Sequence, residues 1–405
     1  MKEDWEIKKI GEVCDIVNGS TPLRTNIDFW QDGDFPWFTI DDIRDQGRKI
    51  KNTKQKVTQV ALKKLRVLPI ETILLCCTAS IGEYAITDIE LTTNQQFNGL
   101  VIKNKKKLFP MFLLYFCSTL KDALLNLSGK ATIDFIPISK LKDIEIHLPP
   151  IHEQHQIVTI LNKTFEKIDE AKSIAEQNLK NAKELFESYL KDVFSDKIAG
   201  NKFETLLDLC ELIVDCEHKT APIQESGYPS IRTPNIGKGY LILENVNRVS
   251  EQTYNEWTKR ALPQANDLIL AREAPAGNIA VIPENLKVCL GQRTVLIRPM
   301  KNKLVSKFLA YLILSSDVQK QLLSYSTGAT VQHINMKDIR AFKIYNLSTL
   351  QEQYTIVGKL DELSTEIKKL EVIYKKKTED LEELKKSILQ KAFSGELVTS
   401  KEIAV

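Results

Sequence analysis

The sequence predicts an α+β chain. Two globular domains are separated by two long helices, which pair with each other as an intramolecular antiparallel coiled coil, and the whole is a pseudo-twofold internal repeat. Three observations predict it. The first is self-similarity at a constant offset of 199 residues: Glu153-Gln154 heads EQHQIVTILNKTFEKI and Glu352-Gln353 heads EQYTIVGKLDELSTEI. At that offset Ile157, Val158, Leu161, Ile168, Leu185 and Phe194-Ser195 recur as Ile356, Val357, Leu360, Ile367, Leu384 and Phe393-Ser394. A period far longer than a solenoid unit marks a duplicated domain. The second is a heptad seam, Ile356, Leu360, Leu363, Ile367, Leu370, Tyr374, Lys377, Leu381, Leu384 and Ile388, whose steps alternate four and three as in a left-handed coiled coil. Its counterpart runs Ile157, Leu161, Thr164, Ile168, Ala171, Ala175, Asn178, Ala182, Leu185 and Tyr189. The third is that the sequence outside these helices alternates short apolar runs with turn residues.

The elements follow in order. Residues 1–150 form the first globule. In it Ile73–Cys77 reads as an apolar strand, Gly82 as a turn, Thr53 to Leu68 as helical, and Phe109 to Leu127 as one or two buried helices. Pro149-Pro150 stops regular structure because proline lacks a donor and restricts its predecessor. The first spacer helix occupies 151–196, with its core from about His152 to Phe194, and the polar stretch 195–204 reads as a linker. Residues 197–348 repeat the globule. Asp267–Ala271 stands where Thr72–Cys76 stood, and Phe308-Leu309-Ala310-Tyr311 echoes Phe112-Leu113-Leu114-Tyr115. The second spacer helix occupies 349–397, from about Leu350 to Phe393, and 398–405 is a tail. Asn178 and Lys377 share one seam position. They either fix register or lie near solvent.

Length and composition suit two ordinary domains with real cores, since 43% of the 405 residues are hydrophobic and 27% charged. A net charge of +3 excludes a polycation but leaves room for local basic patches. The 7 cysteines (14, 76, 77, 117, 210, 216, 289) show no CxxC spacing and read as reduced thiols. MKEDWEIKKI carries acids and no apolar core, so no signal peptide is expected. The longest apolar run, Leu108 to Cys117, is about half of the ~20 residues that cross a bilayer. The expectation is a soluble cytoplasmic protein with no membrane contact. Methylase (Asn/Asp-Pro-Pro-Tyr), Walker and HExxH motifs are absent. Asp215-Cys216-Glu217-His218 lacks a second ligand cluster, and no metal site is expected. Catalysis by this chain alone is therefore not expected.

Nine basic residues lie between Arg44 and Arg66 (44, 48, 49, 51, 54, 56, 63, 64, 66) against one acid, Asp45, enough to neutralise several phosphates. In the second globule Arg232, Arg272 and Arg293 sit among Gly, Pro and Thr, a setting that suits bidentate reading of guanine. Gly19-Ser20-Thr21-Pro22, Phe29-Trp30 and Phe35-Pro36-Trp37 before Asp41-Asp42 resemble one common opening of a target-recognition domain. Asp215 through Pro222, Tyr228-Pro229-Ser230-Ile231-Arg232, Arg272-Glu273-Ala274-Pro275 and Gly291-Gln292-Arg293 resemble another. With the two Glu-Gln helices, the chain resembles, over nearly its whole length, the specificity subunit of type I restriction–modification systems.

That resemblance implies two target-recognition domains, each reading one half of a bipartite site in double-stranded DNA, with the helices fixing the unread gap. It implies docking of two methyltransferase (modification) subunits, which would hold S-adenosylmethionine, and of motor–nuclease (restriction) subunits. No cofactor is expected on this chain. Candidate DNA contacts in the first globule are Thr21, Arg24, Thr25, Asn26, Arg48, Lys49, Lys51, Gln95, Gln96, Lys130 and Thr132. In the second they are His218, Lys219, Thr220, Arg232, Arg272, Arg293, Gln332 and His333. The alternatives weighed are an enzyme with unrecognised motifs and a coiled-coil interaction scaffold that binds proteins rather than DNA.

Overall fold

The computed structural model describes residues 4–127, 135–273, 276–324 and 333–397. Its contacts divide the chain into two units, Met1–Ile174 with Lys376–Val405, and Ala175–Lys375. Each long helix is continuous, Ile151–Phe194 and Leu350–Ser394, and each contributes to both units.

In the first unit a five-stranded sheet runs in the order Cys14–Asn18, Phe97–Ile102, Ile73–Cys76, Tyr84–Thr87, Lys49–Ile50. All pairings are antiparallel except the last, which is parallel. A three-stranded sheet holds Gln55–Val57, Phe35–Phe38 and Thr92–Thr93. Ile73–Cys76, central in the five-stranded sheet, is buried on both faces, which is why it reads as an unbroken apolar run. Ile73 and Leu75 face the helix Pro110–Ser118 and the long helix, in a core with Phe112, Leu113 and Ile157. Leu74 and Cys76 face the other way, with Phe38 and Phe97. A ribbon of Glu6–Lys9 with Glu145–Leu148 closes the globule.

The second unit repeats this plan. Cys210–Asp215, Thr294–Pro299, Leu268–Ala271 and Ile279–Val281 make a four-stranded sheet, and Arg248–Val249, Tyr228–Ile231 and Cys289–Leu290 a three-stranded one. Leu268 and Leu270 join the core of Phe308 and Leu309, while Ile269 and Ala271 join the opposite core with Ile231.

The repeated Glu-Gln signature has a physical cause. Gln154 is fully buried; its Oε1 accepts from Phe109 N (2.8 Å), and its Nε2 donates to Lys107 O and Pro149 O (both 2.8 Å). Gln353 in the second unit does the same with Val305 N, Lys303 O and Ser348 O. One amide thus ties each helix start to its own globule. The far end of the other helix docks on the same globule. In the first unit Phe393 packs on Phe112 with ring centroids 5.0 Å apart, and in the second Phe194 packs on Phe308 at 5.2 Å. Within each unit the two helix segments are therefore antiparallel. Asp169–Lys385 (3.1 Å) and Lys172–Glu382 (2.9 Å) pair in the first unit, and Lys183–Glu371 (2.7 Å) in the second.

Two expectations are corrected. Thr53 to Leu68 is not a helix: Gln55–Val57 is a strand paired with Phe35–Trp37, and only Gln59–Leu62 is helical, capped by the Thr58 hydroxyl. The stretch 195–204 is not a free linker, because Lys197 is buried with its ammonium on Asn346 O (2.8 Å), and Phe203–Thr205 pairs with Lys343–Tyr345. Of the seam positions, Ile157, Leu161, Ile168 and Leu360 are buried, in cores they share with globule residues, and Ile356, Ile367, Leu370, Leu381 and Ile388 are half-buried. Leu185 is 70% exposed, Leu384 47% and Leu363 38%. A straight helix drifts ~20° per heptad from a 3.5-residue repeat. Phe186, beside Leu185, packs against the core, and beside Leu384 the Lys385 ammonium lies 4.8 Å over the Phe165 ring. Asn178 and Lys377 are both exposed, so the solvent alternative holds.

Candidate nucleic-acid interface

In the first unit the loop after Cys14–Asn18 is pressed against the segment 93–97. Gly19 N donates to Phe97 O (3.1 Å) and Ser20 N to Thr93 O (2.8 Å). A Cβ at Gly19 would lie 2.1 Å from Asn94 O, so only glycine fits. This approach sets the Thr21 hydroxyl against the Gln95 amide. Gln96 is half-buried, accepting from Asn94 Nδ2 at 3.0 Å. Arg24 stacks on Trp30 and Trp37, 4.0 and 4.6 Å from the ring centroids, and donates to Gln55 Oε1 (2.7 Å). Asn26 caps a helical turn by accepting from Asp28 N, and Thr25 is exposed.

The basic run is split. Gln55, which meets Arg24, is flanked by exposed Lys54, paired with Asp45, and exposed Lys56. Lys49 and Lys51 are exposed, but Lys49–Ile50 is the sheet edge farthest from Cys14–Asn18. Arg48 is held by Glu83 (2.5 Å), Tyr84 O (2.9 Å) and the Tyr84 ring. Thr21, Arg24, Gln95 and Gln96 are thus brought together, and Arg48, Lys49 and Lys51 are not among them. Lys130 and Thr132 lie outside the described residues.

In the second unit the candidates converge on one end of the four-stranded sheet. His218 Nε2 lies 3.3 Å from Asp215 Oδ2, and its carbonyl accepts from Gln292 Nε2 (3.3 Å). Lys219 and Thr220 are exposed beside it. Gly291 leaves room for the exposed Arg232, whose Cγ would meet a Cβ at 2.4 Å. Arg272 is 7% exposed. It donates to Asp215 (2.6 Å) and Ile334 O (2.9 Å) and meets His333 Nε2 (2.8 Å), so its fork is engaged within the protein. His333 Nδ1 reaches Glu273 (2.6 Å), and Arg293 pairs with the other oxygen of the same carboxylate (2.9 Å). Gln332 lies outside the described residues. Asp215 and Glu273 organise this corner, and the sequence marks neither as a contact. Their only sequence signals are the Asp-x-x-His spacing and an acid directly after Arg272. Trp30 and Trp37, the bed for Arg24, were visible only as motif letters.

The family model of the type I restriction modification DNA specificity domain matches the chain twice, over residues 2–179 and 200–376. The chain belongs to this family. Specificity-domain relatives align along nearly its whole length. One is the type I restriction enzyme MjaIX specificity subunit of Methanocaldococcus jannaschii, 25% identical over 98% of this chain and 94% of the relative. Over 28% of this chain and 29% of the relative, the EcoprrI specificity subunit of Escherichia coli is 36% identical. Among solved structures, a chain of a type I R-M system matches with a TM-score of 0.78 at 21% identity, covering 98% of this chain and 99% of that one. The HsdS subunit from Thermoanaerobacter tengcongensis matches with a TM-score of 0.61 at 20% identity, over 98% of both chains. The specificity-domain family is one of recognition subunits rather than catalysts. Among the described residues no helix is long and apolar enough to cross a membrane.

Proposed function

We propose that this chain is the DNA sequence-specificity subunit of a type I restriction–modification complex acting in the cytoplasm. Each globule reads one half of a bipartite site in double-stranded DNA, and the two helices set the length of the unread gap. The observation that carries this reading is the double match of one DNA-specificity domain on a chain whose two globules share a backbone plan but differ in their loop side chains. Phosphate contacts fix register on DNA while a few loop side chains read base edges, so shared frames with unlike loops suit two unlike half-sites.

Methylation and cleavage belong, in this reading, to other subunits. Two modification subunits, each holding S-adenosylmethionine, dock on the helices, and motor–nuclease subunits join for restriction. Equivalent exposed apolar positions support two copies of one partner: Ile174 and Ile373 are 52% and 57% exposed, and Leu185 and Leu384 stand at the same offset of 199 residues. The match to a DNA-specificity family favours this over a scaffold that binds only proteins.

The test is a genome-wide map of N6-methyladenine in cells expressing the chain with its modification subunit. The expected result is one split motif with a constant gap, lost when this chain is omitted. Methylation independent of the chain, or an unsplit motif, would refute the reading.

A further inference from the structure

We propose that a buried charge relay in the second unit holds Arg293 as the reader of a guanine edge, with Arg272 as the positioning residue behind it. This rests on the reading of the chain as a DNA-specificity subunit.

The two units close the same corner with the same backbone. In the first, Cys77 N donates to Gln96 O (2.9 Å) and Ile136 N to Cys77 O (3.0 Å). In the second, Arg272 N donates to Arg293 O (2.9 Å) and Ile334 N to Arg272 O (3.1 Å). Strand register agrees, pairing Cys76 with Phe97 in one unit and Ala271 with Thr294 in the other. Arg272 therefore stands where Cys77 does, Arg293 where Gln96 does, and Asp215 where Asn18 does. The first unit builds this corner from uncharged side chains, so the backbone frame does not require a buried guanidinium. Burying one is costly unless every partner is in place.

In the second unit every partner is in place, and the partners form a chain. A guanidinium has only donors. His333 Nε2, facing Arg272 Nη2 at 2.8 Å, must therefore accept, and Nδ1–H must donate to Glu273 Oε1 at 2.6 Å. That leaves Glu273 Oε2 for Arg293 Nε at 2.9 Å. The Arg293 side chain is 60% exposed, unlike the relay behind it. Its backbone has φ of +66°, a left-handed conformation uncommon outside glycine and typical of sites where strain serves function. The tether uses the nitrogen nearest the chain. The two terminal nitrogens are the pair that suits guanine O6 and N7.

The experiment uses the complex of this chain with its modification subunits, titrated against DNAs randomised in the second half-site. Arg293→Gln is expected to lose preference for guanine at one position by on the order of 10- to 100-fold, with the first half-site unchanged. Arg272→Lys and Glu273→Gln are expected to relax that same position. Neither should add to the loss when combined with Arg293→Gln, because residues in one network are not additive. Even weakening on all sequences by Arg293→Gln, with a shallower salt dependence, would identify a phosphate contact and overturn the proposal. A lowered melting temperature in Arg272→Lys with base preference intact would make its role merely structural and also overturn it. No sequence-specific binding by the parent complex would refute the DNA reading itself. Specific binding insensitive to Arg293→Gln would refute the relay alone.

Discussion

Gln154 and Gln353 are the residues on which the repeat turns. Each side-chain amide meets three backbone groups in a dry setting, so removing it strands a buried donor and two acceptors. Gln154→Leu is expected to destabilise the first unit by about 2–4 kcal/mol, since each stranded group costs ~1–3 kcal/mol and some will find water. Urea unfolding of parent and variant measures this. The cysteines make a second residue-scale prediction. All seven are buried, and burial pushes the Cys14 and Cys210 thiols up to about 12 and Cys77 to about 11. A thiolate is the reactive form, so a thiol reagent at neutral pH should modify none of the seven in the native chain and all of them in denaturant. The reading of the cysteines as reduced thiols and of Glu-Gln as a signature was legible in the letters. What Gln does was not, because its partners are backbone groups that carry no side-chain signal. The engagement of Arg48 and Arg272 was hidden for a related reason: a basic residue in a loop looks the same whether it faces water or a carboxylate.

If the proposed function holds, the helices carry the measurement. They contain 44 and 45 residues, roughly 65 Å each at ~1.5 Å per residue. Inserting one matched heptad into both adds roughly 10 Å, near 3 base pairs at ~3.4 Å per pair. The methylated motif is expected to keep both halves and gain that gap; an unchanged gap would sink the ruler. Leu185→Lys and Leu384→Lys are expected to leave unfolding within about 0.5 kcal/mol of the parent, because both side chains face solvent. Both should weaken capture of the modification subunit in a pull-down. Helix extents were legible to within a residue or two from proline stops and apolar period. Leu185 and Leu384 face outward because a helix that turns at 3.6 residues drifts from a strict 3.5 repeat. Thr53 to Leu68 failed because strand pairing with Phe35–Trp37 outweighs a mixed local pattern, a nonlocal fact.

At the scale of the molecule, two frames hold unlike loops. Exchanging residues 205–348 for the corresponding part of another specificity chain is expected to change one half of the methylated motif and leave the other half intact. The exchange is feasible because Gln353 grips backbone atoms of Lys303, Val305 and Ser348, which any such globule can supply. Duplication and family were readable from the repeat and the ordered motifs; the shared corner was not, because Cys77 and Arg272 have nothing in common as letters. The units also differ in how they are strung. The second is one uninterrupted stretch, while the first is closed by residues from the end of the chain, with Ala392 and Phe393 seated among Phe112, Phe116 and Ile157. On a ribosome, which releases its product from the amino end, the globule made first must therefore wait for residues made after the second. Until residues 376–397 emerge, its apolar seat stays open, and a chain cut before them is expected to lose its first globule to a protease sooner than its second in a limited digest.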